Sequence, residues 1–348
     1  MSTPAEFGYR MPAEWHRHSA TWLTWPKDPE TWPDRVPQVE EIFLKMMAAL
    51  VPGETVNLLV DGAETEQDVR RRCTFPGAEN VRFHQIPTVD SWIRDYGPNF
   101  LIGDNDWLAY NDWIFNAWGN KYEELKQDDS IPVRLESLLK VPRFEPGIVM
   151  EGGSIDVNGA GCVLTTEQCL LNANRNPGLS RDEIELYLKD YLGVEKVLWL
   201  SEGIVGDDTD GHIDDIARFV APNVIVCAVE DDPQDANHKL LQDNLSRLRT
   251  MTDVKGRPFE IVTLPMPGVV GGSSTETRAL DRLPASYANF YIANDAVLTP
   301  VFGHANDARA LDTLQGLFKS RRVVAVDCEP LVWGMGTIHC VTQQQPKP

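Results

Sequence analysis

Five times along its length the sequence runs through the same series: a helical segment, a β-branched strand, a polar loop and a further strand. The helical segments are 39–50, 130–140, 182–192, 236–251 and 307–318. The strands that follow include 56–60, 147–166, 194–200, 259–267 and 322–328, and the later strands include 81–103, 212–229, 287–302 and 331–343. Such a series excludes an all-helical or all-β chain and predicts an α/β fold. No low-complexity linker interrupts it, so residues 1–348 are expected to form a single catalytic domain of five αβ repeats. If the repeats surround a common axis, their polar loops converge on one central site. A plain α/β chain with polar strand ends is the alternative that the pattern leaves open.

Composition narrows the class of function. The net charge of −20 repels phosphate backbones and so argues against nucleic acid as a partner. It favours cations, a small cationic substrate among them, although solubility alone also explains it. No run of about 18 apolar residues is present, so no membrane partner is expected. The first fifteen residues lack a basic segment followed by an apolar one, so they do not read as a signal peptide. The six cysteines form no CxxC pair, and their spacing suggests neither a zinc site nor a disulfide framework. Reduced thiols in a cytoplasmic protein are the expectation.

The rare chemical groups recur at like places in the repeats. GDDTDGHIDDIARF (206–219) is crowded with Asp, His and Arg. With Gly211 at the invariant glycine of a calcium loop, Gly206 falls at its first position and Ala217 at its twelfth, and the loop fails. A metal held by His212 and Asp214 lacks further ligands, so no metal and no cofactor are expected. In a strand those two residues share a face, where the His can move protons and the Asp can hold a cation. SWIRDYGPNF (91–100) sets Asp95 before a Gly-Pro turn, with Trp92 and Tyr96 as apolar walls; an ion pair with the adjacent Arg94 is the plainer reading. EGGSIDVNG (151–159) sets Glu151 before two glycines that permit close backbone approach, but it lacks the spacing of a phosphate loop. Cys340 stands beside a His in GMGTIHCVTQQQP (334–346).

Each motif alone has a structural explanation. Together they suit one chemistry. A guanidinium is planar, always charged and rich in N–H donors. Convergent carboxylates hold its nitrogens and leave the central carbon open to a thiolate. The cationic substrate itself lowers the thiol pKa. His212 then serves to protonate departing ammonia and to activate water. A non-catalytic polyamine- or guanidine-binding protein is the alternative, with Cys340 incidental.

The same residues carry a family resemblance. MPAEWHRHSATWLTWP (11–26), SWIRDYGP (91–98), FNAWGNKY (115–122), EGGSIDVNG (151–159), VLTTEQCLLNANRNP (163–177), GDDTDGHIDDIARF (206–219), NFYIAN (289–294) and IHCVTQQQP (338–346) are similar to motifs of the agmatine deiminases, in the guanidine-modifying, peptidylarginine deiminase-like superfamily. The resemblance covers nearly the whole chain. It implies a five-bladed, pseudo-symmetric α/β propeller of the pentein type, and hydrolysis of agmatine to N-carbamoylputrescine and ammonia. By motif, Cys340 is the nucleophile and His212 the general acid and base. Asp95 and Asp214 bind the guanidinium, Glu151 pairs with it or with His212, and Trp92 and Trp118 line the channel. The chain reads GMGTIHC where the family usually reads GGGNIHC, and Asn120 stands where the family often has glycine. Met335, Thr337 and Asn120 therefore bear on which guanidine is the substrate. Arginine, peptidyl arginine and methylarginine stay open, as do amidino transfer and a homo-oligomeric state.

Overall fold

In a computed structural model, residues 2–271 and 282–348 are described. The strands form five separate small sheets among these residues. The sheets share a plan, in which two antiparallel strands are followed by a helix and a strand parallel to the second. One such unit has Ala217–Ala221 antiparallel to Val224–Val229, then the helix Ala236–Leu248, then Glu260–Pro265 parallel to Val224–Val229. Another has Tyr291–Ile292, Ala296–Val301, the helix Asp307–Leu317 and Arg322–Asp327. Two more are built on the helices Ile131–Leu139 and Arg181–Leu192.

The fifth unit joins the two ends of the chain. Gln343–Pro346 pairs antiparallel with His18–Thr24, which runs parallel to Thr55–Val60 after the helix Val36–Leu50. An additional helix, Ala63–Arg72, and strand, Val81–Gln85, extend this sheet.

Local sequence explains these elements. Val36–Leu50 buries Val39, Ile42, Phe43, Met46, Met47 and Leu50, the three- and four-residue spacing of one helical face. Arg181–Leu192 opens on a capping box between Ser180 and Glu183 and ends at Gly193 in the left-handed region, φ 63°. The central strands, such as VIVCAV at 224–229, are nearly continuous apolar runs because helices cover their faces.

All five predicted helices are present, with ends within three residues of expectation. The phase of the repeat differs: the structural unit begins on a hairpin strand, not on the helix. This phase positions the site. Immediately before the first strand of each unit lies a short turn: Ile93–Tyr96, Gly152–Ser154, Ile213–Asp215, the stretch around Asn289, and the stretch around Cys340. No helix among the described residues is long and apolar enough to cross a membrane.

Candidate active site

These five turns bring together every carboxylate, imidazole and thiol singled out in the sequence. Asp95, Glu151, His212, Asp214 and Cys340 are all buried. Close backbone approach makes this packing feasible. A Cβ on Gly153 would lie 2.6 Å from His212 Nδ1 and 2.8 Å from Asp95 Oδ1, and one on Gly152 would lie 2.1 Å from the Arg94 carbonyl oxygen. The two glycines of EGGS are thus required by proximity.

Cys340 Sγ lies 3.9 Å from Asp214 Oδ2 and 3.3 Å from Asn289 Nδ2. Burial, and then the charges of Asp214, Asp215 and Asp95, push its thiol well above the ordinary value. The resting thiol is therefore protonated. The His212 ring nitrogens stand 3.8 Å from Asp95 Oδ1 and 3.9 Å from Glu151 Oε2, and neither has a protein hydrogen-bond partner among the described residues. Burial disfavours the charged ring. Asp95, and after it Cys169 and Glu151, outweigh that effect and hold the His212 pKa well above the usual imidazole value.

The carboxylates are held differently. Asp95 accepts hydrogen bonds from Trp118 Nε1 at 2.9 Å and from the Gly153 N–H at 3.0 Å. Burial, partly offset by His212, leaves its pKa pushed up to about 6. Glu151 accepts from Arg175 Nε at 2.6 Å. Burial would raise Glu151, but Arg175 and His212 outweigh it and the net shift is downward. The Asp95–Arg94 ion pair that the sequence also allowed does not form: Arg94 Nη2 instead faces Glu14, at 3.6 Å.

A cavity of about 110 Å³ leads to Asp95 and Cys340. Trp92, Trp118, Tyr122 and Trp333 supply aromatic walls, Asp28, Glu30, Asp90, Glu124 and Asp208 supply acid, and among the described residues neither Lys nor Arg lines it. His212, Asp214 and Glu151 are not among the lining residues, and Asp214 reaches the cavity wall through its 3.9 Å approach to the Cys340 sulfur. Trp118 reaches Asp95 from a run of left-handed residues, with Ala117, Trp118, Gly119 and Asn120 at φ 54°, 52°, 89° and 65°. Asn tolerates that region, which accounts for its standing in a glycine's place at 120. Met335, also lining the cavity, holds φ 74°, a strained value for a non-glycine residue near a reacting centre. Thr337 donates to Asn289 Oδ1 at 2.7 Å.

Glu151, Cys169 and His212 bring a carboxylate oxygen, a thiol sulfur and a ring nitrogen within 4.8 Å of one another, a donor set that zinc accepts. The Arg175 guanidinium at Glu151 Oε1 already supplies counter-charge to this cluster. All six cysteines are unpaired.

Over residues 10–346 the sequence matches the family of Porphyromonas-type peptidyl-arginine deiminases. The chain belongs to that family. The agmatine deiminase of Stutzerimonas stutzeri (strain A1501) is 38% identical over 364 residues, covering 100% of this chain and 98% of the relative. The solved agmatine deiminase of Enterococcus faecalis superposes with a TM-score of 0.93 at 37% identity, covering 100% of this chain and 98% of that one. A cysteine-to-serine variant of C. jejuni agmatine deiminase, solved with substrate bound, superposes with a TM-score of 0.86 at 29% identity, covering 97% and 96% of the two chains.

Sequence reasoning passed over three side chains that complete the site of this peptidyl-arginine deiminase family member. Asn289 holds the thiol and also donates to Asp215 Oδ1 at 3.0 Å. His339 bridges Asp214 and Glu14, at 2.7 Å from each. Glu14 in turn lies 2.9 Å from Arg218 Nη2. Asn289 precedes the first strand of its unit by two residues, as Cys340 precedes its own by three. With the correct phase, that position in the repeat is the signal that would have found it.

Proposed function

We propose that the protein hydrolyses agmatine to N-carbamoylputrescine and ammonia, in a single catalytic domain whose five units are the blades of a pseudo-symmetric propeller around the site. The observation that carries the reading is the buried Cys340 thiol, 3.9 Å from the Asp214 carboxylate, at the end of a cavity lined by acids and aromatics. A cationic head with an aliphatic tail suits that lining. A free arginine would bring an α-carboxylate into a cavity that no Lys or Arg among the described residues lines. Lys121, nearby, is engaged by Asp210 at 2.9 Å.

In this reading the substrate cation enters between Asp95 and Asp214. Its positive charge offsets the carboxylates that hold the Cys340 thiol protonated, and the thiol proton passes to solvent as the cation binds, to be replaced by the hydroxyl proton of the hydrated adduct when the C–S bond breaks. The thiolate attacks the guanidinium carbon, and Asn289 Nδ2 donates to the sulfur beforehand. His212, charged and flanked by Asp95 and Glu151, gives a proton to the departing ammonia. The resulting thiouronium carbon then takes a water whose proton passes to His212, and the C–S bond breaks to release the ureido product. Glu151 acts through His212, and Arg175 keeps Glu151 ionised. Trp92 and Trp118 flank the aliphatic chain. A cytoplasmic setting is part of this reading, and six unpaired cysteines suit a reducing compartment.

A colorimetric ureido assay across agmatine, arginine, a methylated arginine and a peptide ending in arginine tests the substrate. Agmatine is expected to have the highest kcat/KM, and preference for a carboxylate-bearing guanidine would overturn the reading. Cys340→Ala is expected to abolish ammonia release while agmatine binding stays measurable by calorimetry. Retained turnover would remove Cys340 as nucleophile.

A further inference from the structure

We propose that His339, the residue preceding the nucleophile, is a positioning residue that clamps one oxygen of Asp214 so that the other faces the substrate guanidinium. This rests on the guanidine-hydrolysing reading above.

The imidazole is buried between two carboxylates. Its Nδ1 lies 2.7 Å from Asp214 Oδ2, and its Nε2 lies 2.7 Å from Glu14 Oε2. Both carboxylates are ionised. Burial opposes the charge on each, but Arg218 and His339 overcome it at Glu14, and His339 and His212 overcome it at Asp214. Each ring nitrogen faces a carboxylate oxygen, an acceptor, at 2.7 Å, and the proposal assigns an N–H donor to both ends of the ring. The ring is a two-ended clamp.

Its far end is fixed. Glu14 is held by Arg218 Nη2 at 2.9 Å and by the Ile292 N–H at 2.8 Å, and Arg218 Nε is held by Asp156 at 3.2 Å. The backbone of His339 is fixed too, donating to Asn289 Oδ1 at 3.0 Å. Asp214 Oδ2 is thereby committed. Asp214 Oδ1 is buried and has no protein partner among the described residues. A second oxygen, ionised and unsatisfied, is left for a donor-rich ligand. A ring that merely filled space would not choose between the two oxygens.

Two substitutions separate direction from volume. His339→Asn keeps a donor near the Nδ1 position, toward Asp214, and loses the Glu14 end. His339→Gln keeps a donor near the Nε2 position, toward Glu14, and loses the Asp214 end. The loss of a charge-assisted hydrogen bond predicts an agmatine KM roughly tenfold or more higher in H339Q than in H339N, with a smaller difference in kcat. Equal KM values in the two variants would overturn the proposal.

Two further measurements do not depend on agmatine or on the variants' turnover. Guanidinium chloride is expected to protect Cys340 from iodoacetamide at a lower concentration in H339N than in H339Q; equal midpoints would count against the clamp. In the unsubstituted protein labelled with ¹⁵N-histidine, His339 is expected to show two hydrogen-bonded ring N–H signals, and a single one would refute it. A wild-type protein that leaves agmatine untouched would sink the substrate reading, and these two measurements would still decide the role of His339.

Discussion

Asp214→Asn is expected to make Cys340 a more reactive thiol and the protein a poorer enzyme. The carboxylate oxygen lies 3.9 Å from the sulfur. At an effective dielectric of about 20, two charges at that distance repel by about 4 kcal/mol, equivalent to roughly 3 pK units on the thiol. The neutral amide removes this repulsion. A thiolate of lower pKa is intrinsically less nucleophilic, so about half of the gain is lost, and alkylation by iodoacetamide at fixed neutral pH should still accelerate roughly thirty-fold. Substrate binding moves the other way. His339 donates to the Oδ2 position, so the amide oxygen takes that place and the NH₂ group faces the guanidinium, donor against donor. Loss of a charge-assisted hydrogen bond of about 1.5–3 kcal/mol raises KM roughly ten- to 150-fold. The assay pairs alkylation rates, read by mass spectrometry at Cys340, with ureido kinetics on the same preparation. Unchanged or slower alkylation would refute the claim that Asp214 suppresses the resting thiol, whatever happens to KM.

Asp95, with its pKa near 6, should give kcat/KM a fall as pH drops through about 6, because the protonated acid no longer attracts a cation. The stability contribution has the opposite sign: between about 6 and 4 the folded state takes up a proton that the unfolded chain does not, so this group stabilises the fold as pH falls through that window. Wild type minus Asp95→Asn in urea midpoints across that range should show the trend, and a flat difference would refute it. Arg175→Ala leaves Glu151 buried without its partner and should cost about 3–5 kcal/mol in urea unfolding; a loss below 1 kcal/mol would show that Glu151 is neutral or relaxes to water. Met335→Gly removes a left-handed non-glycine residue from the cavity wall and should raise the turnover of arginine relative to agmatine; an unchanged ratio excludes Met335 from selectivity.

The helices were legible because each buries one apolar stripe, and the stripe has a period that a single sequence displays. The helix Ala63–Arg72 was not, because Val69 is its one buried residue and its remaining side chains are mostly charged. The phase of the repeat was hidden for a different reason. The unit containing His18–Thr24 is completed by Gln343–Pro346 from the other end of the chain, and no local pattern records a pairing at that separation. The site residues with unusual chemistry stood out: a Cys beside a His, an Asp before Gly-Pro, a Glu before Gly-Gly. Asn289 and Glu14 did not, since an Asn in a turn and a Glu near a helix or loop are ordinary. Arg94 was legible only as a neighbour of Asp95, and packing turns it away to Glu14.

The charge of the site makes the resting and working states complementary. Glu151 and Glu14 have partners of opposite sign in Arg175 and Arg218, and Asp214 lies at hydrogen-bond distance from His339. Asp95 shares His212 with Glu151 and keeps a raised pKa. Asp215 has Asn289, a neutral donor, and burial followed by Asp214 and Asp207 pushes its pKa well above the carboxylate range. Two acids therefore lack full neutralisation, and both bear on the sulfur of Cys340. In the proposed reading, a guanidinium bound between Asp95 and Asp214 would supply the missing positive charge at the point where the thiol must ionise. Adventitious electrophiles without positive charge do not supply it, and for them the thiol stays protonated. On that reading, the same carboxylates that raise the Cys340 thiol pKa at rest would couple its activation to the charge of the substrate. An amide at either position is expected to loosen that coupling, which is why a faster alkylation and a slower turnover should appear together.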